Sequence, residues 1–429
     1  MPVGYAPPMT DRMWGLPSRG TPSADRLIRR GVPRLLRSVD RFFDTWGPAP
    51  RRFSAAELVE RAVRRTGFSD FGDGSFEEPL GVLARSYEEE ANLSAFGRIA
   101  ARWDALRFLS NLLLLHRAEQ QTPEILDETI ARPIFITGLP RSGTTFLHHL
   151  LARDPSNLVV RCWETIYPCT TDATWPTAPG PSADRVDRRL NAFARLAPEV
   201  PRVHPMSARS PQECTEITAH VFRSLRFDTT HHVPTYRLWL DEVGHLDAFR
   251  FHRRFLKYLQ HHKGPGRWVL KCPDHVFALD EIREVYPDAR FIFVHRSPLD
   301  MLPSVAELTE VLRRPFTRSV DRMAIGKQVS ERWARGAEIL VATADRFGDS
   351  PDVAHLLFRE LVQNPLRTVS ALYARFGLTL SDGFATEIGT FAAEWPNGGD
   401  RQKCSLEEFG LREDEERSRY RAYMTRFGF

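Results

Sequence analysis

The sequence predicts an α/β protein: a central parallel sheet with a phosphate-holding loop, flanking helices, a helical N-terminal region and a helical cap insertion. Three observations predict it. The apolar run Pro133-Ile134-Phe135-Ile136-Thr137 enters a glycine-bracketed turn, and then a helix in which Phe146, Leu147, Leu150 and Leu151 recur at helical spacing. Further short apolar runs, Leu158 to Arg161, Trp268 to Leu270, Phe291 to His295 and His355 to Phe358, alternate with helical stretches as in a parallel sheet. Between the second and third runs, residues 168–266 are too many for a simple connection. They open on a Pro-Thr-rich loop, continue with helical patterns at Cys214 to Phe222 and Gly244 to His261, and are expected to cap the strand ends.

Ahead of the first strand the chain reads as helical from residue 24 to 130. Asp25 to Asp44, Ser54 to Thr66, Glu77 to Glu90 and Leu93 to Arg117 each place apolar residues three and four apart. Ser54 and Glu57 have the spacing of a capping box, and Gly47-Pro48 and Gly72-Asp73-Gly74 break the pattern. Residues 1–23, proline-containing and without an apolar core, read as a poorly ordered leader and not a secretory signal. Residues 131–429 are left for the sheet domain with its insertion. No fixed-period repeat is detectable.

The bulk composition excludes several classes. An apolar fraction of 42% and a charged fraction of 27% are ordinary for a globular chain of 429 residues. A net charge of +4 suits an anionic ligand but gives no reason to expect nucleic acid. No run is long enough to span a bilayer. The five cysteines lack close C-x-x-C spacing, which points to free thiols in a reducing cytoplasm and no structural zinc. The histidine pairs His148/His149, His231/His232 and His261/His262 project their side chains in different directions, and no third ligand stands at metal spacing, so no metal is expected.

The loop itself, Gly138-Leu139-Pro140-Arg141-Ser142-Gly143-Thr144-Thr145, has the G-x-x-x-x-G spacing of a phosphate loop. Its glycines permit backbone angles that let successive amides converge on an anion at a helix N-terminus. A loop working on Mg-ATP or Mg-GTP has lysine after the second glycine. Here that position is Thr144, and the cation is Arg141. A nucleotide bearing a 5′-phosphosulfate fits these residues better than a nucleoside triphosphate.

P-R-S-G-T-T after a strand resembles the donor loop of sulfotransferases that use 3′-phosphoadenosine 5′-phosphosulfate (PAPS), especially the long bacterial type, and the likeness extends from about Gly67 to the C-terminus. The resemblance implies a metal-independent, in-line transfer of a sulfuryl group to a hydroxyl of a small-molecule, lipid or glycan acceptor. Pro140, Arg141, Ser142, Gly143, Thr144 and Thr145 would hold the 5′ end of the donor. Arg296, at the end of a strand, and Ser304, eight residues on, match the family's grip on the 3′-phosphate. Lys271 in Leu270-Lys271-Cys272-Pro273 stands where relatives carry a lysine aimed at the sulfonate, although Cys272 replaces an aspartate. A lysine that far along a buried strand requires an anion, and the sulfonate, Asp274 and Asp280 are the candidates.

Arg141, Lys271 and Glu164 are the expected catalytic residues. Glu164, in Arg161-Cys162-Trp163-Glu164-Thr165, resembles a family segment that carries the base, with His204 and Glu213 as the other candidates. Arg401 and Lys403, in a segment like the family's C-terminal signature, are expected to close over the donor. Two alternatives stay open: a P-loop kinase or NTPase, and a PAPS-binding protein without transfer activity. The sequence leaves the acceptor and the oligomeric state open. Phe222, Phe227, Tyr236 and Trp239 could line an acceptor pocket or belong to the core.

Overall fold

The structure, a computed structural model, describes residues 52–170, 173–175, 179–395 and 404–429. The helix expected over Asp25 to Asp44 therefore lies outside the described residues. Three helices come first: α1 (Ala55–Thr66), α2 (Glu77–Glu89) and α3 (Ala95–Gln121). Ser54 Oγ accepts from the Glu57 amide at 3.3 Å and starts α1. The Glu57 carboxylate accepts from Arg102 of α3 at 2.7 Å.

Strand β1 (Ile134–Gly138) and helix α4 (Thr144–Leu151) bracket the loop. Then come β2 (Asn157–Leu158), α5 (Cys162–Ile166) and the cap, with helices α6 (Pro179–Leu196), α7 (Val200–Val203), α8 (Thr215–Thr218), α9 (Arg226–Thr230), α10 (Pro234–Val243) and α11 (Leu246–Lys263). The chain returns through β3 (Arg267–Lys271), α12 (Leu279–Val285), β4 (Arg290–His295), α13 (Pro298–Arg313), α14 (Arg322–Phe347) and β5 (Val353–Leu357). It ends in α15 (Phe358–Gln363), α16 (Pro365–Arg375), α17 (Asp382–Glu394), α18 (Glu413–Arg419) and α19 (Arg421–Phe427).

All five strands are parallel, in the order β2-β3-β1-β4-β5. The carboxyl ends of β1, β3 and β4 therefore lie side by side, and β1 sits where the strand order reverses, the usual ligand crevice of such a sheet. Both faces are covered. Phe135, Leu270, Phe291 and Phe293 face a core that includes α1 to α3, while Ile134, Ile136, Val269, Ile292 and Val294 face α4, α16 and α17. That two-residue alternation, apolar on both sides, explains why the strands read as continuous apolar runs.

Two expected elements differ. The second strand stops at Leu158 and does not continue to Arg161, because the next residues pair with the cap: Gln212 N donates to Val160 O at 2.8 Å and Cys162 N to Ser210 O at 3.0 Å. The helix expected from Cys214 to Phe222 is one α-turn followed by a 3₁₀ turn, halted by Phe222 in the left-handed region (φ 55°). Tyr236 secures that turn by donating to Phe222 O at 2.8 Å.

Candidate active site

The loop between β1 and α4 depends on its glycines. At Gly138, φ is +141° and a Cβ would lie 2.2 Å from Val294 O. Gly143 (φ +92°) caps α4 with its own Cβ position 2.6 Å from the Phe358 ring. Arg141 adopts φ 62°, a left-handed conformation that costs a residue with a side chain of the order of 1 kcal/mol. The first-turn amides of Thr144, Thr145 and Phe146 have no acceptor inside the helix and open toward the loop. Beside them the Ser142 hydroxyl is buried with no protein partner.

Arg141, Arg296 and Ser304 come together. Arg141 Nε donates to Ser304 Oγ at 3.1 Å and its Nη1 to Val203 O at 3.4 Å, while Arg296 Nη1 donates to Arg141 O at 3.0 Å. The Arg296 guanidinium lies 4.7 Å from the centre of the Phe358 ring, and its Nε, without a hydrogen bond, faces the Asp300 carboxylate at 3.8 Å. Phe358 had no distinguishing sequence signal, because the contact depends on β5 lying next to β4.

Lys271, at the end of β3, is only 3% exposed and donates to Thr145 Oγ1 at 3.2 Å. Its anionic partner is Glu213, and not the Asp274 or Asp280 considered from sequence. Asp280 is instead paired with Arg346 at 2.7 Å. Burial raises the Glu213 carboxyl, but Lys271 and His204 outweigh it and hold it below the ordinary value. Burial, with Lys271 and Arg141 adding to it and Glu213 opposing, lowers the His204 imidazole below 6.5, so the ring is neutral at pH 7. Burial and the Glu213 charge raise the nearby Asp274 to about 7.

Glu164 is placed differently from the expectation. Its carboxylate is 2% exposed and accepts from Lys263 Nζ at 2.7 and 2.8 Å and from the Arg161 amide at 2.7 Å. Those three bonds fasten α5 to the end of α11 and leave Glu164 out of the cavity lining. Burial pulls the Lys263 ammonium down, with Glu164 opposing. Arg401 and Lys403 lie outside the described residues.

Arg141, Thr145, His204, Glu213, Arg296 and Ser304 line one end of a cavity of about 2590 Å³, and Lys271 and Ser142 are not among its lining residues. Pro140, Thr145, His204, Glu213 and Arg296 stand at the loop end, and Phe96, Ile99, Trp103, Leu190, Phe193 and Phe316 line an apolar arm. In that arm the rings of Phe96, Phe316 and Phe193 are stacked, with centroids 6.0 and 5.7 Å apart and planes within 7° and 5°. Sequence reading missed this wall, since its rings come from α3, α6 and the segment after α13. Phe222, Phe227 and Tyr236 are core residues, 0 to 2% exposed, and none lines the cavity. Among the described residues no three His, Cys, Asp or Glu side chains are grouped to hold a metal. All five cysteines are buried thiols outside any disulfide.

The sulfotransferase family profile matches residues 133–382, from the first strand through β5 and beyond. The chain belongs to the sulfotransferase family. It is 25% identical over 263 residues to omega-hydroxy-beta-dihydromenaquinone-9 sulfotransferase Stf3 of Mycobacterium bovis and of Mycobacterium tuberculosis, covering 57% of this chain and 63% of those proteins. It thus spans somewhat less than two thirds of the length of these curated relatives. Sulfotransferase STF1 of Mycobacterium tuberculosis superposes with a TM-score of 0.75 at 30% identity over 86% of this chain and 99% of that one. STF9 of Mycobacterium avium shares the sulfotransferase fold, with a TM-score of 0.79 at 23% identity over 88% of this chain and 97% of its own. The family and the parallel-sheet architecture are those the P-R-S-G-T-T loop led us to expect.

Proposed function

We propose that this sulfotransferase moves a sulfuryl group from PAPS to a hydroxyl of an apolar, lipid-like acceptor. The observation that carries the reading is the meeting of two anion grips and a buried lysine at the carboxyl ends of β1, β3 and β4. One grip is the buried Ser142 hydroxyl with the first-turn amides of α4, and it fits a 5′-phosphate. The other is Arg296 with Ser304 and Arg141, and it fits a 3′-phosphate, which an arginine fork can engage with two bonds. The donor supplies an electrophilic sulfur and a bisphosphate leaving group.

The chain's own residues do the rest. Lys271 neutralises charge on the oxygens around sulfur, and Thr145 and Glu213 keep its ammonium aimed at the loop. His204 takes the proton of the acceptor hydroxyl. Its lowered imidazole is neutral at pH 7 and free to accept a proton, and the Glu213 charge favours the imidazolium that forms. Glu164, tied to Lys263, has no part in the proton transfer.

An ordinary small-ligand site occupies roughly 300 to 1,000 Å³. The cavity of about 2590 Å³ leaves room for an acceptor far larger than a simple phenol after the donor is seated. The apolar arm and the relative named for a hydroxylated menaquinone both favour a hydroxyl carried on a long apolar chain.

The test is thermal stabilisation by 3′-phosphoadenosine 5′-phosphate against ATP, followed by transfer from labelled PAPS to a panel of hydroxylated polyprenyl quinones, fatty alcohols, glycans and phenols. Stabilisation by the bisphosphate, its loss in Arg296→Ala, and EDTA-resistant transfer to a long-chain alcohol support the reading. Preference for ATP with magnesium would favour a kinase. Bisphosphate binding without product on any acceptor would favour a binding protein.

A further inference from the structure

We infer that the mouth of the apolar arm docks on an anionic lipid bilayer. The inference rests on the reading that the acceptor is apolar, and its observations lie on the outside of the same arm. Ile99 and Trp103, one turn apart on α3, are 51% and 38% exposed, and Met206 is 36% exposed; all three line the cavity. Large apolar side chains exposed together at an opening mark an interaction surface more often than three isolated ones would.

Charge beside them selects the partner. Helix α6 turns Val186, Leu190 and Phe193 toward the cavity. Its Arg185, Arg188, Arg189 and Arg195 are exposed, and among the described residues none of the four has a carboxylate partner. The helix's own acids do not serve them, because Asp184 and Asp187 accept from Arg209 at 3.1 and 3.4 Å. Two of the arginines adjoin the aromatic groups: the Arg189 guanidinium lies 4.9 Å from the Trp103 ring centre, and Arg185 and Arg189 lie 4.5 and 5.5 Å from that of Tyr167.

A helix with an apolar side, an arginine-rich side and an aromatic neighbour is the pattern of an interfacial helix on a membrane. A soluble polyanion would use the arginines and leave Ile99, Trp103 and Met206 in water. A bilayer satisfies both, and it removes a kinetic and energetic obstacle. An apolar chain crossing water to reach the arm would lose about fourfold in equilibrium for every methylene exposed. Docked, the arm opens directly into the phase that holds the acceptor.

The experiment is co-sedimentation of the full chain with phosphatidylcholine vesicles, with and without phosphatidylglycerol, at low and high salt. The comparison is the triple variant Arg185→Gln, Arg188→Gln, Arg195→Gln, whose positions lie outside the cavity lining. An arginine near an anionic surface contributes about fivefold in partitioning, so the variant should bind phosphatidylglycerol vesicles on the order of a hundredfold less. Wild-type binding should weaken with salt, and Trp103→Ser should also weaken it. Stabilisation by 3′-phosphoadenosine 5′-phosphate should be the same in the triple variant. Absence of vesicle binding, binding indifferent to phosphatidylglycerol, or binding unchanged in the triple variant would each overturn the docking surface while the bisphosphate assay still reports on the donor site. Retention on heparin through these arginines, with the chain left in the supernatant above vesicles, would overturn it in favour of a glycan partner.

Discussion

Replacing Glu164 with glutamine separates the structural role of this carboxylate from the catalytic one its sequence context suggested. The carboxylate is 2% exposed and its partner Lys263 is 17% exposed, with three hydrogen bonds converging on the acid. Removing one member of a buried ion pair costs about 3–5 kcal/mol because the other charge is left without a partner. Glutamine keeps one acceptor oxygen, so the lower end, ~3 kcal/mol, is the expected loss. An unfolding entropy of roughly 2.1 cal/mol/K per residue gives about 0.9 kcal/mol/K for 429 residues. The melting temperature should therefore fall by about 3 °C if the chain unfolds in one transition. Adding Lys263→Met to Glu164→Gln should recover part of that, since the stranded charge is gone. Initial rates at saturating donor and acceptor should stay within a few-fold of wild type, where loss of a general base costs about 10²- to 10⁴-fold. A hundredfold drop in kcat with an unchanged melting temperature would refute the assignment and return the base to Glu164.

His204→Gln should lower kcat by about 10²- to 10⁴-fold. In the wild type, kcat/KM should fall on the acid side at a pH below the ordinary histidine value of 6.5, since burial lowers this ring and only its neutral form accepts a proton. An acid limb that survives in His204→Gln would exclude the ring and leave Glu213 as the base. Asp274 is raised from 3.8 to about 7, so the folded state holds a proton that the unfolded state releases. Its contribution is therefore favourable at low pH and lost as pH rises from about 4 to about 7. Asp274→Asn should stabilise the protein by about 2 kcal/mol at pH 8, after discounting for partial exposure, and by almost nothing at pH 4; equal melting shifts at both would refute the assignment. Gly138→Ala places a Cβ 2.2 Å from Val294 O at a φ of +141°, and should cost at least ~3 kcal/mol or prevent folding; a normal melting temperature would show that β1 and β4 can separate there.

The parts of the site legible in the sequence are those whose information is local. The glycines, Arg141 and the hydroxyl residues of the loop fall within one strand–turn–helix unit, so spacing alone ties them to a phosphate. Arg296 and Ser304 are eight positions apart across the start of α13, and strand ending plus helical spacing brings them to the same side. Pairing across long separations was not legible. Glu164 and Lys263 are 99 residues apart and Lys271 and Glu213 are 58 apart. Nothing in the neighbourhood of Glu164 reveals that α11 ends against it. The early end of β2 has the same cause: Val160 and Cys162 are apolar enough for a strand, but a cap loop some fifty residues away supplies their hydrogen bonds.

The charge arrangement distinguishes the candidate site from the rest of the interior. Arg226 is paired with Asp104 at 2.5 Å and with Glu216, and Arg332 reaches Asp241 at 2.7 and 2.8 Å, so those arginines are neutralised where they lie. At the loop, Arg141 bonds the Ser304 hydroxyl and the Val203 carbonyl, and Arg296 bonds a carbonyl and faces the half-exposed Asp300 carboxylate at 3.8 Å. A long ion pair to an exposed carboxylate cancels little of a guanidinium's charge. A phosphate that reaches the Arg296 fork would therefore gain a charge-assisted bond that Asp300 supplies only weakly. Lys271, paired with Glu213, is on our proposal the cation that must follow charge as it moves during transfer. A lysine on a flexible stem, shared between a carboxylate and a threonine hydroxyl, can change partners in a way that the arginine forks cannot.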